Sequence, residues 1–242
     1  MLKFILIFIT FVCVCNTETH AQRNKFSGWF LNTQNVKLNN KFSFQFDNQL
    51  RTTHNWRSAD IYFMRTGITM ALKKGYAVAA GYIFVNFWKT VDNVHDDISE
   101  DRLWQQIQFS KQYKKMSFQH RIRTEERWMP VIGVQKNKLY KKDILFNSRI
   151  RYWSRWLWPF SGKMNFQKGF YGGVQDEFIF NMTGSRYTNK MVFDQVRAYT
   201  GLGYKLNKKM DVEAGYMFMC LVTKEKKSMI TNAIQITTAF RW

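Results

Sequence analysis

Between Met229 and Trp242 the chain alternates with a period of two. Ile230, Ile234, Ile236, Phe240 and Trp242 share one parity, while Thr231, Gln235, Thr237 and Arg241 hold the other. Successive side chains of an extended strand point to opposite sides, so this pattern describes a strand with one greasy face and one polar face. A chain built from such strands has to shelter an apolar surface on one side and keep the other side polar.

The pattern recurs along the sequence. From Phe42 to Leu50, Phe42, Phe44, Phe46 and Leu50 alternate with Ser43, Gln45, Asp47 and Gln49. Tyr62, Met64, Ile68, Met70 and Leu72 form the next apolar face, Lys73-Lys74-Gly75 turns the chain, and Tyr76, Val78, Ala80, Tyr82 and Phe84 continue it. Ala77, Ala79 and Gly81 then point the other way. Further strands are predicted at Leu103 to Tyr113, Met116 to Trp128, Ile144 to Ser154, Met164 to Phe180, Gln195 to Leu206 and Asp211 to Val222. An aromatic content of 17% with only two prolines suits many half-apolar strands rather than helices. No linker or composition break divides the chain, which points to one domain.

Residues 1–21 read as a secretory leader. Lys3 supplies a basic start, Phe4 to Val14 an apolar core too short for a permanent span, and Thr19-His20-Ala21 a cleavage site, so the mature domain is 22–242. Cys13 and Cys15 do not suit lipidation, because Val12 and Val14 occupy the place of the required small residue. Cys220 is then the one mature cysteine, a small apolar residue on the face of Val212, Tyr216 and Phe218. After the leader no run of eighteen apolar residues occurs, which excludes a helical membrane crossing on length.

The expected fold is therefore all-β: a transmembrane up-and-down antiparallel β-barrel of 10 to 12 strands in the bacterial cell outer membrane. The closing strand, ending on Phe240 and Trp242, resembles the terminal strand that the barrel assembly machinery reads by its final aromatic. Short links are predicted at Asn35 to Asn40, Lys73 to Gly75, Lys114 to Lys115, Trp156 to Lys163 and Asn207 to Lys209. Longer loops are predicted at Thr52 to Asp60, Lys89 to Asp101, Met129 to Asp143, Asn181 to Phe193 and Thr223 to Ser228, the alternation of periplasmic turns and outer loops. Counting Phe26 to Gln34 gives about eleven strands. Even numbers are the rule for bacterial single-chain barrels, so the expectation is ten, with the first segment not a full strand, or twelve, with two strands merged within Met164 to Phe180.

The polar parity is rich in charge. Gln119, Arg121, Arg123, Glu125 and Arg127 share one face against Phe118, Ile122 and Trp128. Gln106 and Gln108, Arg149 and Arg151, Gln175 and Glu177, Arg197 and Glu213 extend the theme. A guanidinium facing hydrocarbon costs several kcal/mol, so this face belongs to a wet or paired interior. The expected lumen charge network is Arg121, Arg123, Glu125, Arg127, Arg149, Arg151, Glu177, Arg197 and Glu213.

Five segments in order carry a family resemblance: Glu100 to Gln106, Gln119 to Arg127, Arg149 to Tyr152, Asp176 to Phe178, and Phe193 to Tyr204. Together they resemble the domain of unknown function 2490 family over nearly the whole mature chain. The resemblance implies an outer-membrane barrel of a Gram-negative bacterium with no assigned activity, and the Ala-Gln cleavage junction resembles those of Bacteroidetes secreted proteins. The displaced glutamate in Glu100-Asp101-Arg102 bears on whether Arg102 points inward.

Function is expected to lie in the lumen, either as structural filling or as a narrow channel favouring anionic solutes, as rings of basic side chains do. Lys+Arg exceed Asp+Glu by 37 to 17, and Lys136, Lys138, Lys141 and Lys142 fall in a predicted outer loop where lipopolysaccharide phosphates lie within reach. The acidic stretch Val91 to Asp101, with His95, matches no calcium loop and reads as a solvated loop. No cofactor or metal is expected. Outer-membrane lipid hydrolases place His and Ser two apart on one strand, and no His-x-Ser triplet occurs, so an enzyme is not expected; a serine oxygen beside His120 would reverse that. Nucleic acid is excluded as a partner by the leader and by the spread of charge. A soluble secreted ligand-binding barrel would invert the two faces. Trp29, Trp88, Trp104, Trp128, Trp153, Trp156, Trp158 and Trp242 are expected near strand ends at the headgroup level, with Trp158 to Gly162 as a turn.

Overall fold

The computed structural model describes residues 23–53, 55–113, 115–161, 167–223 and 228–242; the leader assigned to residues 1–21 lies outside the described residues. Among those described, eleven strands form one closed barrel. In chain order they are β1 (Arg23–Lys37), β2 (Phe42–Thr53), β3 (Ser58–Ala71), β4 (Tyr76–Val91), β5 (Val94–Tyr113), β6 (Met116–Gln135), β7 (Lys138–Pro159), β8 (Gly169–Thr183), β9 (Phe193–Lys205), β10 (Met210–Val222) and β11 (Ser228–Arg241). Each pairs antiparallel with its successor, and β1 closes the wall by pairing in parallel with β11, from Arg23 opposite Met229 to Asn35 opposite Arg241.

That closure corrects the expectation of an even strand number. The first segment is a full strand of 15 residues, and β8 is a single strand, so neither ten nor twelve applies. An odd wall closes because a parallel ladder is a permitted pairing. Consequently β1 starts at the rim opposite the one where β11 ends. We call the rim at Trp242 the C-terminal rim and the other the far rim.

The two parities separate as the alternation requires. Ile68, Leu103, Ile107, Ile122, Ile144, Phe170 and Leu202 lie exposed on the outer face, while Arg102, Arg123, Glu125, Arg149, Arg151 and Glu177 on the opposite parity are buried. Cys220 is buried on the outer parity against Val196 and Ile230, as a small apolar residue should be.

Two predicted far-rim loops are instead strand. β4 and β5 continue to a two-residue turn at Asp92 and Asn93, and β6 and β7 to one at Lys136 and Asn137, all four residues having positive φ. Two consecutive left-handed residues form the tight turn whose twist matches a hairpin. The hairpins reach beyond the apolar belt, where the outer parity turns polar, as at His95, Asp97, Ser99 and Asp101, so the apolar-out alternation fades. Lys138, Lys141 and Lys142 are therefore on β7, with Lys136 in the turn. Asp96 ties the two hairpins together: its carboxylate accepts the N–H groups of Asp97 at 2.9 Å and Leu139 at 3.1 Å, which hold it below the usual carboxylate range.

The tryptophans also need correction. Trp29 and Trp104 are buried inside the barrel, and Trp153 lines its lumen. Trp104 fits because its neighbouring strands carry glycine: a Cβ at Gly67 would stand 2.4 Å from its ring and one at Gly81 2.8 Å. Phe63, Ala79, Ile83 and Val85 complete the apolar cluster around it. Trp128 and Trp156 remain on the outer face, against Phe146 and Phe118. Trp158 lies within β7, which ends at Pro159, rather than starting a turn.

Candidate functional site in the barrel lumen

Inward residues of β5 to β9 build an ion network around three carboxylates. Glu100 accepts from Arg102 at 2.7 Å and from Arg127 at 2.7 and 3.1 Å. Glu125, fully buried, accepts from Arg149 at 2.7 Å and from Arg151, with Arg102 at 3.7 Å and Arg123 at 3.9 Å. Glu177 accepts from Arg151 at 2.7 Å, Arg197 at 3.0 Å and Arg121 at 3.2 Å. Arg151 thus joins two hubs. Such dense pairing is what keeps buried charge tolerable, because each unpartnered ion would cost several kcal/mol.

Eight of the nine residues expected in the network belong to it. Glu213 does not: it lies nearer the C-terminal rim and pairs across the lumen with Arg155, whose strand β7 is separated from β10 by two others. Arg155 shares the inward parity of Arg149 and Arg151, so its direction was readable; its distant partner was not. Glu100 is the larger miss. Placed with the acidic loop, it is buried within β5 and compensates Arg102, whose inward direction is thereby settled. The acidic residues do not converge, because strand alternation sends Asp96 and Glu100 to one side and Asp97 and Asp101 to the other.

The opposite wall, from β10 through β1 to β3, is of another kind. Arg51 has no carboxylate partner among the described residues; it donates to Gln49 at 2.8 and 3.1 Å and lies over Trp29 at 3.8 Å and Phe63 at 4.6 Å. Its neighbour Arg65 pairs with Asp47 at 3.0 Å. Met217 and Met219 pack beside Trp29.

Two cavities occupy the lumen. The far one, about 680 Å³, runs from Lys25, Thr53 and Asp60 at the far rim down to Arg155; nine arginines and Lys25 line it against Asp47, Asp60, Glu177 and Asp194. The other, about 390 Å³, opens toward the C-terminal rim and is lined by Lys115, Lys205, Asp211, Glu213 and Arg241. They share Leu31, Thr33, Arg155 and Thr237, so the Arg155–Glu213 pair sits at a waist between two vestibules.

Outside the barrel, His120 Nδ1 meets the Tyr152 hydroxyl at 2.9 Å. Ser154 is its register partner on β7, and Asp176 is the partner of Ser154 on β8. Among the described residues no serine oxygen is hydrogen-bonded to His120. Phe240 and Trp242 stack at 6.3 Å at the C-terminal rim, where the Trp242 amide donates to Asn35 and its carbonyl accepts from Lys37.

A family model described as Protein of unknown function (DUF2490) matches residues 26–228. The chain belongs to this family. The match runs from within β1 to the start of β11 and so takes in the whole lumen network. No curated protein and no solved structure matches the chain.

Proposed function

We propose that this protein is an outer-membrane barrel that admits small anionic solutes into its lumen from the far rim. The observation that carries the reading is the cationic excess of the far vestibule, ten cationic side chains against its four carboxylates and the two more, Glu100 and Glu125, that pair with its arginines, inside a wall whose outer parity is apolar. A low-dielectric wall around one sign of charge concentrates the opposite ion. The exposed isoleucines, leucines and aromatics of the outer face suit lipid, and a soluble ligand-carrying barrel would need the faces exchanged. The lysines at the hairpin tip suit lipopolysaccharide phosphates, and the Phe240/Trp242 end suits the barrel assembly machinery.

With the C-terminus in the periplasm, the far rim is extracellular. The Arg155–Glu213 pair holds the waist, so anions enter the outer vestibule readily and cross only when that pair opens. We assign no catalysis: His120 is engaged with Tyr152, and Glu100, Glu125 and Glu177 are each paired with arginines rather than poised against a nucleophile. Single-channel recording of the purified protein in a planar bilayer tests the reading. Anion-selective steps are expected, with Arg121→Gln lowering the preference for anions; cation selectivity, or an unchanged preference in Arg121→Gln, would overturn it.

A further inference from the structure

Two guanidiniums approach one indole in the far vestibule. Arg51 lies 3.8 Å and Arg197 5.8 Å from the ring centroid of Trp29. Arg197 is compensated by Glu177 at 3.0 Å, and among the described residues Arg51 has a hydrogen bond only to the neutral oxygen of Gln49, with Glu177 acting on it from beyond ion-pair distance. Stacking on Trp29 and Phe63 offsets part of the cost of holding Arg51 there, by cation–π attraction. It does nothing for the missing counter-charge. An anion bridging the two guanidiniums would supply that charge in a planar, bidentate geometry.

The order of strands around the wall puts a methionine-bearing strip between these two arginines, interrupted on β11 by Thr231 and Gln235. Arg197 on β9 is the register partner of Met219 on β10, Trp29 on β1 is the partner of Arg51 on β2, and β11 separates β10 from β1. Met217, Met219 and Met229 line the cavity in this sector. Unbranched thioethers adapt to ligands of varied shape, so the strip offers an accommodating apolar bed rather than a fixed mould. A cavity of about 680 Å³ lies within the range for small-molecule sites, and here the methionine sector is the apolar part of an otherwise polar, cationic lining.

We infer that the far vestibule binds an amphiphilic monoanion, a carboxylate or sulfate head on an apolar body, with the head between Arg51 and Arg197 and the body on the methionine strip. The site rests on the reading above only in that ligand enters from the far rim. It needs no conduction through the waist.

Calorimetric titration of the purified barrel in a neutral detergent, at low salt, tests this with octanoate, acetate and 1-octanol. Octanoate is expected to bind at one site, at least tenfold more tightly than acetate and tenfold more tightly than 1-octanol. Arg51→Gln is expected to weaken octanoate by tenfold or more, about 1.4 kcal/mol, and Arg51→Lys to weaken it less. Met219→Gln keeps the charge and is expected to weaken octanoate while leaving acetate unchanged. Equal affinity for acetate and octanoate would reduce the site to a general anion surface, and equal affinity for 1-octanol would reduce it to a greasy crevice; either overturns the inference. So would an Arg51→Gln protein that keeps its β-sheet circular dichroism and binds octanoate as the parent does. Octanoate binding without bilayer conductance would sink the channel reading alone, and conductance without octanoate binding would sink this one alone.

Discussion

The two walls of the lumen hold arginine in opposite ways. On the β5 to β9 side, Glu100, Glu125 and Glu177 each receive two or more guanidiniums, and Arg151 ties two of them together. On the side of β10, β11, β1 and β2, Arg51 rests on aromatic rings with a glutamine for company. On the first wall every one of seven guanidiniums reaches a carboxylate, sharing Glu100, Glu125, Glu177 and Asp194 among them, so its charge is held chiefly as structure. The second leaves charge uncompensated and so has something to offer a solute. Density of arginine alone therefore says little about function; what separates the walls is whether the counter-charge comes from the chain itself.

Substitutions can break that contrast. The largest effect is expected at Glu125, where Glu125→Gln strips a fully buried counter-ion from four arginines and should cost about 3–5 kcal/mol, read from urea unfolding in detergent. Trp104→Ala opens a void between Gly67 and Gly81 and should cost about 3 kcal/mol in the same assay. At the waist, Glu213→Gln removes a charge-assisted bond worth about 2 kcal/mol, and single-channel conductance should rise as Arg155 is released. Arg51→Gln is the sharpest contrast with Glu125→Gln, since stability should change by no more than about 1 kcal/mol while anion preference falls. Smallest of all, Lys136→Ala in the far-rim turn should stay within about 0.5 kcal/mol. If Arg51→Gln proved as destabilising as Glu125→Gln, the distinction between the walls would fail.

Much of the architecture was legible because alternation survives wherever one face meets apolar surroundings and the other a polar interior. The register from Phe42 to Leu50 and the inward run Arg121, Arg123, Glu125, Arg127 needed nothing more. Legibility failed at the hairpin tip of β5, where the outer parity His95, Asp97, Ser99 and Asp101 is polar while Val94, Ile98 and Glu100 are buried on the other, so Glu100 was grouped with acidic neighbours instead of with Arg102. It failed again for Trp29, Trp104 and Trp153, assigned to the membrane rim by residue type although Trp104 and Trp153 share the parity of Arg102 and Arg151. Cross-lumen partners such as Arg155 and Glu213 are set by closure of the whole wall, which no local pattern encodes. The parallel seam between β1 and β11 is of the same kind: each strand was visible, but their relative direction follows only from the total count.

The central claim is polarity, with apolar side chains outward and charged side chains toward the axis. Its most direct test is a nitroxide scan of β2 in liposome-reconstituted protein with Cys220→Ser, labelling Phe42→Cys through Asp47→Cys one position at a time. Labels at 42, 44 and 46 are expected to collide with dissolved oxygen and those at 43, 45 and 47 with a water-soluble nickel chelate. The opposite phase, or no period of two, would contradict the account.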